Sequence, residues 1–120
     1  MLREMLKAKI CYAKITETQL FYEGSITLDE TIIEEAGLIP GEKVEVLNLN
    51  NGARFQTYVI KGEKNSGKVC LNGPAARLGL VGDKVIILSY GLFSQEELSS
   101  LKIKYVILDE KNRIKATDLR

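Results

Sequence analysis

The 120-residue sequence predicts a mainly β fold, a barrel with short helices. Three observations predict it. Apolar residues recur with a period of two rather than 3.6. Asn-Gly and Gly-acidic turn signals separate these runs at short intervals. One helix–turn–strand unit also occurs twice. Gly37-Leu38-Ile39-Pro40-Gly41-Glu42-Lys43-Val44 matches Gly79-Leu80-Val81-Gly82-Asp83-Lys84-Val85 once a one-residue gap is set at Pro40. A repeated unit of this kind implies a pseudo-twofold barrel of two β-rich halves, and closure removes the exposed edges of many short strands.

Taken in order, Leu6, Ala8, Ile10 and Tyr12 alternate with Lys7, Lys9 and Cys11 as in a half-buried strand. A second strand is expected to include Leu20–Tyr22. Asp29 is placed to N-cap a short helix with Ile32, Ile33 and Ala36 on one face and Gly37 as its stop. Val44–Leu47 and Arg54–Ile60 read as strands joined through Asn51-Gly52, a strong hairpin signal. Lys68–Leu71 reads as a strand, followed by Asn72-Gly73-Pro74 and a helical stretch at Ala75–Leu78. Val85–Ser89 has the length of a buried strand. Ser94-Gln95-Glu96-Glu97 has capping-box spacing. Lys102–Leu108 alternates again, and the polar C-terminal residues are expected to fray.

Composition narrows the chemistry. Lys and Arg number 17 against 16 Asp and Glu, a balance that argues against nucleic acid as the partner. No apolar run has membrane-spanning length, and Met1–Lys9 lacks the apolar core of a signal peptide. With Cys11 and Cys70 the only cysteines, in no metal-binding spacing, a cytoplasmic protein with reduced thiols is expected. Histidine is absent, which excludes Ser-His-Asp and Cys-His catalysis and His-based metal sites. Gly62-Glu63-Lys64-Asn65-Ser66-Gly67-Lys68 fits the start of a phosphate-binding loop, but Val69 stands where Ser or Thr should hold Mg²⁺, and a strand follows instead of a helix.

The chemically informative segment is Tyr22-Glu23-Gly24-Ser25. A Gly-Ser pair alone says little. Its company says more: Lys9 on the first strand, Asn51-Gly52 followed by Arg54-Phe55 and Thr57-Tyr58, Asn72-Gly73 followed by Ala75-Ala76, and Val81-Gly82-Asp83. With these motifs in this order from Met1 to about Tyr90, the chain resembles the pyruvoyl-dependent aspartate 1-decarboxylases. It departs from the family at Cys11, where a histidine is common, and at Pro74, where an alanine is usual and whose ring removes a backbone N–H.

The resemblance implies a double-psi β-barrel, a single domain over 1–120, and self-cleavage between Gly24 and Ser25 into chains 1–24 and 25–120. It implies that Ser25 becomes a pyruvoyl cofactor that forms a Schiff base with the substrate amine, with no metal. Thr57 would assist self-cleavage and Tyr58 would return a proton to the substrate. Lys9 and Arg54 would hold carboxylates, while Tyr22, Thr57, Asn72, Gly73, Ala75 and Ala76 would line the pocket. The partners implied are L-aspartate and three further copies of the chain, in a homotetramer with active sites between subunits. Some family members also need a maturation factor. The product, β-alanine, serves pantothenate biosynthesis.

Without the resemblance the same residues have plainer readings. Lys9 is a solvated strand lysine, Arg54 a hairpin residue, Tyr58 half-core, Thr57 an ordinary strand residue and Asn72-Gly73 a turn. Two other functions stand beside the first: a pyruvoyl decarboxylase of another amino acid, and a non-catalytic double-psi barrel used as a binding module.

Overall fold

The computed structural model describes all 120 residues. Its elements are β1 (Arg3–Lys14), β2 (Glu17–Gln19), β3 (Ser25–Asp29), α1 (Glu30–Ala36), β4 (Lys43–Asn48), β5 (Arg54–Gly62), β6 (Val69–Asn72), a 3-10 helix (Gly73–Arg77), β7 (Lys84–Phe93), α2 (Gln95–Leu98), β8 (Lys104–Leu108) and β9 (Ile114–Leu119).

The strands run β2-β6-β3-β5-β4-β7-β1-β8-β9. Only Ile15 and Thr16 separate β1 from β2, so one continuous segment pairs with β7 at its start and β6 at its end. Thr16 seals the junction: its N–H donates to Val69 O at 2.8 Å, and its hydroxyl both accepts from Val69 N–H and donates to Val69 O. The sheet is thereby a closed barrel. Inside it lie Ile10, Ile15, Ile26, Leu28, Val44, Val46, Val59, Val69, Leu71, Val85 and Ile87, each fully buried large side chain stabilising the fold by about 1.5–3 kcal/mol.

The barrel is pseudo-twofold in its pairing. β3 and β6 pair antiparallel with each other, as do β4 and β7. β5 runs parallel to β3 and antiparallel to β4, and the β1–β2 segment runs parallel to β6 and antiparallel to β7. Exchanging the halves returns the same list, which is the double-psi barrel. The repeated turn is real down to its hydrogen bonds. Gly41 N–H donates to Val59 O, Val59 N–H to Glu42 O, and Ile39 N–H to Glu42 Oε1. In the other half Gly82 N–H donates to Ile15 O, Ile15 N–H to Asp83 O, and Leu80 N–H to Asp83 Oδ2. Gly41 and Gly82 sit at φ 91° and 95°, which favours glycine.

Three expectations need correction. Leu20–Tyr22 is not a strand. β2 precedes it, and its pairing stops at Gln19 because β6 itself ends at Asn72. Tyr12 points outward and Cys11 and Ala13 inward, because a bulge between Ile10 and Ala13 shifts the alternation of β1. The C-terminal residues are not frayed. β9 pairs with β8, and the hairpin between them is tied to the barrel by Asn112, whose side chain accepts from Lys14 N–H and donates to Lys14 O and Gly67 O, each at 2.8 Å. β3 was not anticipated as a strand: it offers only Ile26 and Leu28 as an alternating pair.

The α1 caps and the α2 capping box form as expected. Buried Asp29 also gathers the loop before β6. Its carboxylate accepts from Thr31 N–H at 2.8 Å, Asn65 N–H at 2.9 Å and Gly67 N–H at 2.8 Å. The phosphate-loop-like segment therefore already holds an anion, its own Asp29. Burial alone pushes this carboxyl's pKa up; the backbone donors of Gly67, Thr31 and Asn65 outweigh it and hold it below 3.8. Asp29→Ala should cost about 2–4 kcal/mol at pH 7, from the lost cap and the orphaned N–H groups, measured by urea unfolding. Because the folded pKa is depressed, Asp29's charge-dependent contribution is full above its unfolded pKa and fades as pH falls through the lower folded value. The gap between variant and wild type should therefore narrow in acid.

Candidate active site

One end of the barrel brings β3, β5, β6 and the 3-10 helix together. Ser25 opens β3 directly opposite Asn72 at the end of β6. Both are buried, at 0% and 3% exposure. Asn72 Nδ2 donates to Ser25 Oγ and to Thr27 Oγ1, each at 2.9 Å. Ser25 Oγ–H points at Glu23 O, 3.4 Å away. Asn72 is the N-cap residue of the 3-10 helix, yet its side chain makes no capping bond; the amide is committed to Ser25 and Thr27 instead.

The parallel register pairs Ile26 with Val59, which sets Thr57 level with Gly24. A cleft of ≈ 370 Å³ opens there, lined by Gly24, Phe55, Gln56, Thr57, Tyr58, Pro74, Ala75 and Leu78. That volume lies within the range of about 300–1,000 Å³ typical of small-molecule sites. Tyr58 is 37% exposed at its edge. Gly73, at φ 65°, lets the loop before Ser25 close in. A Cβ there would lie 2.4 Å from Tyr22 O and 2.9 Å from Gly24 N. Gly24 itself is not at positive φ. A Cβ on Gly24 would meet only Pro74 Cδ, at 3.5 Å.

The structure thus gathers Gly24, Ser25, Thr57, Tyr58, Asn72, Gly73 and Ala75. Tyr22 is half-exposed on the loop before Gly24, and Ala76 is not among the cleft residues. Lys9 and Arg54 lie apart. Lys9 sits on β1 between β7 and β8, its Nζ 5.7 Å from the centre of the Tyr105 ring. Arg54 opens β5 and pairs with Glu45 Oε1 at 3.3 Å, an oxygen that also accepts from Tyr90 OH. Sequence reasoning missed Thr27, Phe55, Gln56, Leu78 and Cys70, whose thiol stands 3.2 Å from Asn72 Oδ1. The period-two rule would have found Thr27, Phe55, Gln56 and Cys70, each two residues from a predicted site residue on the same strand. No group of three His, Cys, Asp or Glu side chains is placed to hold a metal, and no helix is long and apolar enough to cross a membrane.

Comparison with known proteins completes the description. The aspartate decarboxylase family matches residues 1–115, so the likeness extends well past Tyr90, through β8. The chain is 56% identical over 114 residues to the aspartate 1-decarboxylase of Caldicellulosiruptor saccharolyticus, covering 95% of this chain and 89% of that one. It is 54% identical to that of Listeria monocytogenes, over 95% of this chain and 90% of the relative. It is 51% identical to that of Thermoanaerobacter pseudethanolicus, over 94% and 97%. Among solved structures, the rationally designed mkDPBB_sym_86 protein covers 65% of this chain and 90% of its own, at a TM-score of 0.47 and 17% identity.

Gly73→Ala should destabilise the fold by about 2 kcal/mol or more, through strained backbone and the clash with the Tyr22–Gly24 loop. Gly24→Ala should change stability by under about 0.5 kcal/mol. Paired urea titrations of the two variants check both.

Proposed function

This chain belongs to the aspartate decarboxylase family, and from that premise we propose that its active group is made from Ser25 by self-cleavage of the Gly24–Ser25 bond. It acts as a carboxy-lyase on L-aspartate, releasing CO₂ and leaving β-alanine, a building block for pantothenate. The observation that carries the self-cleavage reading is the buried Ser25 hydroxyl, held by Asn72 at 2.9 Å beside a Gly24 that opens on the cleft.

The chemistry follows from those atoms. Ser25 Oγ adds to the Gly24 carbonyl carbon, the C–N bond breaks, and the acyl group passes to oxygen with a free amine left on residue 25. Thr57, level with Gly24 across β3 and β5, offers a hydroxyl to the oxygen that gains charge in this step. Loss of the residue 25 Cα proton and breakage of the Cβ–Oγ bond release Gly24 as a carboxylate. Water then replaces nitrogen on the dehydroalanine and ammonia leaves, so residue 25 ends as a pyruvoyl group. The products are chains 1–24 and 25–120. The surroundings suit such a group: residue 25 is buried, its neighbour Asn72 offers an amide donor, and the cleft lining carries no charge.

A pyruvoyl group supplies an electron-accepting carbonyl that, joined to the substrate amine, draws electrons from the bond to the departing carboxylate. The chain's own residues do the rest. Tyr58, at the cleft edge, returns a proton to the substrate carbon as a general acid. Asn72, Gly73, Ala75 and Ala76 bound the pocket with Tyr22. Lys9 and the forked guanidinium of Arg54 hold the carboxylates once a neighbouring copy closes the site.

An uncharged lining cannot by itself hold a substrate with two carboxylates, and Lys9 faces Tyr105 rather than this cleft. In the proposed reading a neighbouring copy, within a homotetramer, completes the site. Phe21, 98% exposed, and Tyr22, 52% exposed, lie just before Gly24 and offer apolar surface for that contact. The protein works in the cytoplasm.

Intact mass measurement of the denatured protein, with and without aspartate and borohydride, tests the reading. Two peptides divided after Gly24, with a substrate adduct trapped on the larger, are expected; a chain that stays whole on prolonged warming contradicts it. Ser25→Ala should fold, stay uncut and lose activity entirely, because the attacking oxygen is gone. Tyr58→Phe should cut normally but lose turnover by about 10²-fold or more, with kcat measured by CO₂ release.

A further inference from the structure

We propose that Cys70 is a positioning residue for the cut at Ser25: its thiol donates to Asn72 Oδ1 and so turns the amide nitrogen onto Ser25 Oγ. The inference rests on the self-cleavage reading above and adds to it a residue that touches neither bond nor substrate.

An asparagine side chain can be rotated by half a turn with almost no change of shape, exchanging one acceptor oxygen for one nitrogen with two donor hydrogens. What lies around it decides which way it points. Around Asn72 are two hydroxyls, on Ser25 and Thr27, and one thiol. Hydroxyls serve either orientation, since each can donate or accept. The thiol is less even-handed: its sulfur is a poor acceptor for an amide N–H, and its hydrogen favours the oxygen. Cys70 Sγ stands 3.2 Å from Asn72 Oδ1, against 3.9 Å from Leu71 O, its other acceptor. Cys70 and Asn72 are two apart on β6 and both are buried, at 1% and 3% exposure. Burial first, then Glu17, push the thiol's pKa up against the opposing pull of Lys68, so at neutral pH Cys70 keeps its proton and remains a donor.

The orientation matters because the two amide ends do opposite things to Ser25. With Nδ2 facing Oγ, the serine oxygen receives a hydrogen bond, and its own proton stays directed at Glu23 O, 3.4 Å away. A donor on Oγ also stabilises the charge that grows there when the Cβ–Oγ bond breaks and Gly24 leaves as a carboxylate. With Oδ1 facing Oγ, the serine proton would be drawn into the amide and the departing oxygen would lack its donor. Thr27 takes the second Nδ2 hydrogen at 2.9 Å, so both donors are used only in the orientation that the thiol selects.

The test follows precursor made fresh by cell-free synthesis, with the fraction cut read by intact mass over time and thermal unfolding recorded beside it. Wild type, Cys70→Ala, Cys70→Val and Cys70→Ser are compared. Ala and Val lack the donor, and Val fills the space if the Ala cavity weakens the fold; Ser keeps the donor. Cleavage about tenfold slower in Ala and Val, with Ser within about twofold of wild type, supports the assignment. Ala or Val cutting at the wild-type rate overturns it, and so does Ser as slow as Ala, which would make Cys70 a packing residue only. A wild-type chain that never cuts removes the self-cleavage reading and this one with it; a wild type that cuts beside an equally fast Ala variant removes this one alone.

Discussion

The site depends on one junction, the two residues Ile15 and Thr16 that carry the first strand from one side of the barrel to the other. Ile15 is bonded through its N–H and C=O to Asp83 and Gly82, and Thr16 is clamped to Val69 through backbone and hydroxyl alike. Because the chain continues straight on, β2 lies along β6 and ends level with Asn72. It must then turn back to enter β3, which also pairs with β6 but runs the other way. The Leu20–Gly24 loop makes that return. It therefore crosses the 3-10 helix at Gly73, and Ser25, the first residue after it, is delivered into the barrel wall with its hydroxyl buried. Closure of the ring and placement of the Gly24–Ser25 bond are one structural event.

The symmetric parts of this design could be read from the sequence, because they are made of residues with narrow physical uses. A turn that needs glycine at positive φ, followed at once by an acid whose carboxylate caps the turn, leaves the same letters in both halves. The caps of α1 and α2 were legible for the same reason. The parts that could not be read depend on partners elsewhere. β3 is too short to show a period, and its identity comes from β5 on one side and β6 on the other. The bulge in β1 fits the strand to β7 and is silent in local composition. β9 looks polar because five of its six residues are exposed, and it is held by β8 and by Asn112 from outside its own run.

The site divides in a similar way. Ser25, Thr57, Tyr58 and Asn72 were picked out by resemblance to the family, and the fold brings them to one end of the barrel. Leu78 was not, because an apolar wall residue looks like a core residue. Lys9 and Arg54 were legible by type, but the barrel sends them to other faces. One is over Tyr105 and the other is on Glu45. A charge pattern reports that cations exist; only the strand order reports which surface they reach, and within one copy it separates them from the cleft their chemistry would serve.

The pseudo-twofold also shows how a structural position is converted to a functional one. Asp29 and Asn72 occupy matching places, the last residue of β3 and of β6, and each is the N-cap of the short helix that follows. Asp29 does what an N-cap does: its carboxylate takes Thr31 N–H, and with its remaining capacity it gathers Asn65 and Gly67. Asn72 leaves its helix uncapped. The helix it precedes is the tighter 3-10 kind, with Pro74 at its first turn supplying one fewer N–H to satisfy. That lowers the cost of withholding the cap. The freed amide turns the other way, to Ser25 and Thr27. An acid at the same place could not do this, since a carboxylate only accepts and would leave Ser25 Oγ without a donor. The exchange of acid for amide at one of two equivalent strand ends, together with a proline that relieves the helix of its claim on that side chain, separates a purely structural half of the barrel from the half that holds the Gly24–Ser25 bond.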